Sequence, residues 1–497
     1  MSQPLICMTV TGTTLAEDVE LVKKYEKYID IVELRADYLN EDEQLQARKF
    51  PAMISHPCIL TIRRDIDGGK YNSGEFSRTN LFARALAFAD QNKSKNFAYV
   101  DFEEDYEIPS IQEAAQAFGI RIIRSCHNMN GTVLNLKERC DKMRKTGLEI
   151  PKIAFKPDNL SDVVNMFKQG SEIDYEHIFC AMGPQGFPSR VLSAFSNSYL
   201  TFVSPQEVIA NTTTIGHIDP VTLNNVYNFK AINKGTRIFG ITGWPLLKTS
   251  SPEIHNSGYK KQNLNAVYIP IRTPEIVQAI SFADKMGVGG LSVTIPHKED
   301  VIPYLAEQSQ EVVQIGACNT IVRGVNGWSG YNTDAPGFKR ALEEFLGDYK
   351  IKRKKVAVIG AGGAAKAIIY ALKQMGARVC IFNRTISTAR AIAEKYGFEY
   401  CALDPENVDI LDEYSNLIVQ TTSVGMTTDK PVEHDDPIWF YDFNGNEMLF
   451  DIVYKPEITP VMKRASIAGC KVCNGYKMLE YQAYEQYKLF TGKDYQL

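Results

Sequence analysis

The sequence predicts an α/β protein in two parts: an N-terminal (β/α)8 barrel of the TIM type, then a two-domain α/β unit carrying a Rossmann nucleotide-binding domain. Three observations predict it. Eight short apolar runs, several separated by amphipathic stretches, fill the first half of the chain. A strand–glycine–helix stretch, Val356 to Ala367, stands in the second half. Composition is ordinary for a globular protein, with 44% hydrophobic and 23% charged residues, so each part can bury its own core.

At 497 residues the chain has room for about two to four domains. A net charge of -4 without long basic runs argues against nucleic acid and anionic membranes as partners. The ten cysteines are scattered, as in a reduced intracellular protein. Cys470 and Cys473 read as a structural strand pair, with metal ligation the less favoured alternative, and no metal is expected. The start, Met1 to Cys7, reads as neither a signal nor a transit peptide, and there is no transmembrane run; the expected location is cytoplasmic.

The expected barrel strands are Leu5–Val10, Ile31–Asp37, Cys58–Arg64, Phe97–Glu103, Arg121–His127, Lys152–Lys156, His177–Met182 and Leu200–Val203. Helical patterns such as Phe76–Asp90 and Val133–Lys145 lie between them. In a barrel the C-terminal strand ends share one rim, where active sites sit. Glu33, Arg35, Arg63, Asp101, Glu103, His127, Lys152 and Arg190 fall at or near that rim. Lys152 opens the buried run Lys-Ile-Ala-Phe, and a desolvated lysine near other cations loses its proton readily and attacks a ketone. The arginines imply an anionic substrate, most simply a carboxylate.

This half resembles type I 3-dehydroquinate dehydratase over essentially residues 5–230. The resemblance rests on Val32-Glu-Leu-Arg35, Thr61-Ile-Arg63, Asp67-Gly-Gly69, Asp101-Phe-Glu103, Ser125-Cys-His127, Pro151-Lys-Ile-Ala154, Met182-Gly183 and Ser189-Arg190. It implies Lys152 as the Schiff-base lysine, His127 as general acid/base and Glu103 as the carboxylate orienting it. It also implies Arg190 at the substrate carboxylate, with Glu33, Arg35 and Arg63 around the ring hydroxyls. Where the family's closing loop reads Ser-Ala-Pro-Gly-Gln, this chain has Thr213-Thr-Ile-Gly-His217, so Thr213 and His217 become the lid contacts.

Asn228 to Thr236 reads as a linker, after which a new α/β pattern starts at Arg237-Ile-Phe-Gly-Ile241. Further on, Val356–Ile359 reads as a buried strand. Gly360-Ala-Gly-Gly-Ala364 forms its turn, and Ala364–Met375 the following helix. The G-x-G-x-x-A spacing, with Ala365 third, suits a pyrophosphate held at a helix N-terminus. An NAD site carries an acid about 20 residues on. Asn383-Arg384-Thr385 stands there instead, and Arg384 suits the 2′-phosphate of NADP. Gln420 to Met426, with Thr422, reads as a strand end and loop near the nicotinamide.

Residues 237–497 resemble shikimate dehydrogenase. The matching pieces are Val293-Thr-Ile-Pro-His-Lys298, Ala317-Cys-Asn-Thr320, Gly330-Tyr-Asn-Thr-Asp334, the glycine loop, Asn383-Arg-Thr385, Asp451-Ile-Val-Tyr454, Gly475-Tyr-Lys-Met-Leu479 and Gln482-Ala483. The resemblance implies Lys298 and Asp334 as the catalytic pair. Asn319, Thr294, Tyr454 and Gln482 would meet substrate hydroxyls, Thr249 and Ser251 its carboxylate. Gly360, Ala361, Gly362, Gly363, Ala364, Asn383, Arg384, Thr385, Thr422 and Gly475 would hold NADP. Thr249 and Ser292 stand where the family usually carries Ser and Asn.

Together the resemblances imply a fused two-step enzyme: 3-dehydroquinate is dehydrated to 3-dehydroshikimate, which NADPH reduces to shikimate. The expected domains are 1–229 (barrel), 237–335 plus 475–497 (reductase substrate domain) and 336–474 (Rossmann domain). A quinate-preferring or NAD-using reductase, and a catalytically inactive regulator, are the alternatives left open.

Overall fold

The computed structural model describes residues 3–86, 90, 92–210, 216–246, 249–426 and 432–497. It divides into two compact units, Met1–Gly240 with Tyr259–Val288, and Ile241–Gly258 with Gly289–Leu497.

The first unit contains eight parallel strands. They are β1 (Leu5–Val10), β2 (Ile31–Arg35), β3 (Cys58–Thr61), β4 (Tyr99–Glu103), β5 (Arg121–Asn128), β6 (Ile150–Phe155), β7 (Ile178–Ala181) and β8 (Leu200–Val203). Their order is β7-β6-β5-β4-β3-β2-β1-β8. One parallel bridge, His177 with Ser198, joins the ends of the series, so the barrel is nearly closed. The Tyr199 amide donates to the His177 carbonyl at 2.7 Å across that seam.

Side chains alternate across a strand, so every second residue faces the interior. One apolar layer takes a residue from each strand: Cys7, Ile31, Ile59, Tyr99, Ile123, Ile150, Ile178 and Leu200. Two residues further along the same strands stand Thr9, Glu33, Thr61, Asp101, Ser125, Lys152, Cys180 and Phe202. Six of these eight are polar. The fold thus stacks a polar layer directly on an apolar floor.

Several strand limits differ from expectation. Strand β6 starts at Ile150, so Lys152 lies inside it and not at its head. Strand β3 stops at Thr61 and β7 at Ala181, which leaves Arg63 and Met182 beyond the strands. The expected helices become Glu75–Leu86 and Leu136–Met143.

The first unit also contains the start of β9 (Arg237–Gly243) and β10 (Ala266–Arg272), the Arg237 amide donating to the Asn265 carbonyl. In the second unit β11 (Gly290–Val293) pairs antiparallel with β13 (Thr320–Arg323). Strand β13 pairs antiparallel with β14 (Trp328–Tyr331), which lies parallel to β12 (Leu305–Gln308).

The same unit holds a six-stranded parallel sheet. Its strands are β15 (Lys355–Ile359), β16 (Arg378–Asn383), β17 (Glu399–Ala402), β18 (Leu417–Gln420), β19 (Met448–Asp451) and β20 (Lys471–Cys473). The order β17-β16-β15-β18-β19-β20 puts β15 where the winding reverses, the usual place for a nucleotide. The helix after β15 is Gly363–Gln374. The helices Asp334–Leu346 and Tyr476–Thr491 cross where Gly337 lies, and a Cβ there would come 2.8 Å from that of Gln482. Only glycine permits this approach, which brings the last helix to the start of the chain segment at Asp334.

Asp18 is a buried exception to the polarity pattern. Its Oδ1 accepts the Gly12 amide at 2.7 Å, and Oδ2 has no partner among the described residues. Burial raises its pKa from 3.8 to about 7, against the lowering effect of the Gly12 bond. Folded Asp18 therefore binds its proton more tightly than the unfolded chain does. Its contribution to stability is full at low pH and is lost as pH rises through about 7. Asn at this position cannot ionise. The Tm of Asp18→Asn relative to the parent should therefore climb between about pH 4 and pH 8; a flat difference would contradict the raised pKa.

Candidate active sites

The polar layer of the barrel is a charge-compensated cluster around Lys152. Its Nζ donates to Asp101 Oδ2 at 2.9 Å and to Glu33 Oε1 at 3.2 Å, and sits 4.4 Å from the centre of the Phe202 ring. Glu33 also accepts from Thr61 at 3.0 Å and Thr9 at 2.8 Å. The Arg63 guanidinium meets Asp101 at 2.8 Å, Glu103 at 2.6 Å and Ser125 at 2.8 Å. Ser125 in turn donates to Asp101 at 2.5 Å. All of these except Thr9 and Phe202 are buried.

The charge state of Lys152 corrects the expectation from sequence. Burial pulls its pKa down, but Asp101 and then Glu33 outweigh burial and the Arg63 charge, and the pKa ends above its ordinary value. In the ligand-free protein Lys152 is therefore an ammonium. His127 behaves oppositely. Burial, then the Arg63 and Lys152 charges, push its pKa well below 6.5, so the imidazole is neutral and available as a base.

Glu103 does not orient His127 here. Its two oxygens are taken by Arg63 and by fully buried Arg78, at 2.6 and 2.7 Å. The Nδ1 of His127 is buried with no partner among the described residues. The physical reason is competition: two guanidinium groups outbid a neutral ring for one carboxylate. Arg35 is likewise engaged by Asp37, in a bidentate pair at 2.9 and 2.7 Å. Arg190 donates to the Phe202 carbonyl at 3.0 Å and keeps a buried Nε without a partner among the described residues. His217 Nδ1 lies 3.2 Å from Ser204 Oγ. The His217 residue is exposed; partial loss of hydration, and then the Arg190 charge, lower its pKa to about 4. Thr213 lies outside the described residues.

In the second unit Lys298 Nζ donates to Asp334 Oδ2 at 2.5 Å. The Asn319 side-chain amide donates to Asp334 Oδ1 and to Thr333 Oγ1, both at 2.9 Å, and reaches Gln482 Oε1 at 3.4 Å. The structure thus joins Lys298, Asp334, Asn319 and Gln482 in one network. Thr249 and Ser251 form their own pair, Oγ1 to Oγ at 3.1 Å. Thr294 packs against Gly243, where a Cβ would come within 2.5 Å of its methyl carbon. Tyr454 follows β19 and faces the Tyr476 ring at 6.5 Å, with no direct bond to the acid/base pair.

The glycine loop leaves open space at the start of its helix. Gly360 has φ +109°, and a Cβ there would strike Thr421 Oγ1 at 2.6 Å and Thr422 Cγ2 at 2.9 Å. A Cβ on Gly362 would meet nothing within 4 Å, so the space over the helix start is open. Ala361 and Ala365 are buried beneath it. The Lys298 stem passes 3.4 Å from where a Gly363 Cβ would be, which sets the lysine beside the loop. Arg384 and Thr385 are exposed at the end of β16, and Asn383 donates to the Thr385 carbonyl at 2.9 Å. Gly475 touches Ile452, whose carbonyl leaves no space for a Cβ. Among the described residues no His/Cys/Asp/Glu group could hold a metal.

Sequence reasoning missed Thr9, Thr61, Ser125, Arg78, Thr333 and Gln486. The first three were findable, since each stands two residues after an apolar floor residue. Thr333 stands inside the Gly330–Asp334 motif, whereas Arg78 and Gln486 arrive from distant helices and left no local signal.

Three family models match the chain: "Type I 3-dehydroquinase" over residues 6–234, "Shikimate dehydrogenase substrate binding domain" over 241–321, and "Shikimate / quinate 5-dehydrogenase" over 341–461. A chloroplastic bifunctional 3-dehydroquinate dehydratase/shikimate dehydrogenase of Arabidopsis thaliana is 32% identical, covering 98% of this chain and 82% of that protein. The chain belongs to this bifunctional family. The shikimate biosynthesis protein AroDE of Chlamydia pneumoniae is 28% identical over 98% of the chain and 95% of its own length. A shikimate dehydrogenase (NADP(+)) of Thermococcus kodakarensis is 36% identical over 52% of the chain and 92% of its own length. The chain therefore spans both halves of this family, the dehydratase and the dehydrogenase.

In the barrel the carboxylates hold the proton on Lys152. Asp101→Asn removes the stronger of its two anionic neighbours. The pH at which borohydride-trappable Lys152 appears should fall, and Glu33→Gln should shift it in the same direction. An unchanged or higher onset would contradict the ion-pair control of Lys152.

Proposed function

We propose that Lys152 and His127 carry the dehydration of 3-dehydroquinate, and Lys298 and Asp334 the reduction of 3-dehydroshikimate to shikimate. The observation that supports the first is a buried ammonium at the centre of the barrel's polar layer, beside a neutral histidine. Once deprotonated, the Lys152 amine attacks the ring ketone, the carbonyl oxygen leaves as water, and one proton taken up from solvent makes the product an iminium. The iminium acidifies the adjacent carbon, and neutral His127 accepts that proton. The resulting imidazolium protonates the departing hydroxyl, which leaves as water. Hydrolysis then frees Lys152. Arg190, with donor capacity left over, suits the substrate carboxylate. Glu33, Arg35, Arg63, Thr213 and His217 complete the surroundings, and Glu103 acts by holding Arg63 and Arg78.

In the other half the residues around the glycine loop fit NADP, with Arg384 toward the 2′-phosphate; bound NADPH supplies a hydride. Lys298 donates a proton to the developing alkoxide, and Asp334 keeps the ammonium aimed. Asn319 and Gln482 offer amide groups to ring hydroxyls, together with Thr294 and Tyr454, while Thr249 and Ser251 suit a carboxylate. The corresponding domains are residues 1–229, 237–335 with 475–497, and 336–474. Ten free cysteines, nine of them buried, suit a reducing cytoplasm. Among the described residues no helix is long and apolar enough to cross a membrane. The partners of this reading are its small-molecule substrates.

Borohydride added with 3-dehydroquinate should leave a single adduct, located by mass spectrometry on Lys152; an adduct elsewhere, or none, would sink the imine. Lys298→Ala should lose roughly 10²–10⁴ in shikimate oxidation and keep its dehydratase rate. Full NADPH oxidation by that variant would remove Lys298 from the reaction.

A further inference from the structure

We propose that Gln486 is a positioning residue for the reductase, acting through Thr320 and Asn319 on Asp334. The proposal rests on the Lys298–Asp334 reading above and extends it. Gln486 lies in the last helix and is almost wholly buried. Its Oε1 accepts from Ser292 at 2.7 Å, and its Nε2 donates to Thr320 Oγ1 at 3.0 Å and to the Asn319 carbonyl at 3.3 Å. Thr320 Oγ1 is 2.9 Å from Asn319 Oδ1, and Asn319 Nδ2 is 2.9 Å from Asp334 Oδ1.

Chemistry fixes the polarity of this chain. The Asn319 carbonyl can only accept, so it is the amide nitrogen of Gln486 that faces it, and the oxygen faces Ser292. Asn319 is fixed at both ends: Oδ1 accepts the Thr333 amide at 2.8 Å, and Nδ2 faces a carboxylate. Thr320 receives the Gln486 amide, which turns its own proton toward Asn319 Oδ1. Each donor in the series therefore points toward Asp334, from Ser292 through Gln486, Thr320 and Asn319. Lys298 closes it from the opposite side. Hydrogen bonds aligned head to tail polarise one another. The Asn319 N–H bound to Asp334 is thereby strengthened, and the carboxylate that holds Lys298 is locked in one orientation.

The test compares Gln486→Met, Thr320→Val, their double variant, Thr320→Ser and Gln486→Glu in shikimate oxidation, with dehydratase turnover of the same chain as an internal concentration standard. Gln486→Met and Thr320→Val should each lower reductase kcat about tenfold, the worth of one net hydrogen bond in the interior. The double variant should be no worse than the poorer single, because both break the same series. Thr320→Ser keeps the hydroxyl and should retain kcat. Gln486→Glu, nearly isosteric but donorless toward Thr320, should be worse than Gln486→Met. Multiplying losses in the double variant, a wild-type kcat in Gln486→Met, or a Thr320→Ser as poor as Thr320→Val would each overturn the proposal. If Gln486→Met fails to fold, the Thr320→Val and Thr320→Ser pair decides alone. Active Lys298→Ala would remove the underlying acid/base reading, whereas inactive Lys298→Ala beside fully active Gln486→Met would remove only the Gln486 series.

Discussion

Both halves depend on the same physical interaction, a lysine held against carboxylates, Lys152 buried in the barrel and Lys298 half-buried in the second unit. An unpaired buried ammonium is costly, and one held at hydrogen-bond distance by acids is tolerable. Lys152 has Asp101 and Glu33; Lys298 has Asp334. Much of each site serves to keep those carboxylates in place. Thr9, Thr61, Ser125 and Arg63 hold the barrel's acids, while Asn319 holds Asp334.

The pairing has opposite chemical consequences in the two sites. In the barrel it stores the lysine as an ammonium, so a proton must leave before any covalent bond forms. His127, neutral because burial and two cations disfavour its charged form, is the complementary group. In the reductase the proposed step instead requires a proton donor, which the Lys298 side chain supplies. On the proposed mechanism one residue type serves as a masked nucleophile in one half and a ready acid in the other, and the surroundings alone distinguish them.

The barrel shows how regular geometry builds a site cheaply. Period-two alternation over an apolar floor places six polar side chains at one level without any special loop. The reductase site has no such regularity. It draws Lys298, Asn319, Asp334 and Gln482 from four separate segments, and the close crossing at Gly337 lets the last helix join them.

The sequence by itself determined the barrel and the glycine loop of the Rossmann sheet, because strand periodicity and glycine spacing are local properties. It also pointed to His127, Asp334 and Arg190 as candidates, through the stretches that carry the two family resemblances. Tertiary structure decided what those residues are bonded to. Glu103 was expected beside His127 and instead ties two arginines, because Arg78 arrives from a helix whose direction no local pattern encodes. Lys152 was expected to shed its proton, and the acids of β2 and β4 hold it on, since charge state depends on neighbours far away in the chain. Gln486 carried no signal at all: its role exists only where the last helix meets β11 and β13.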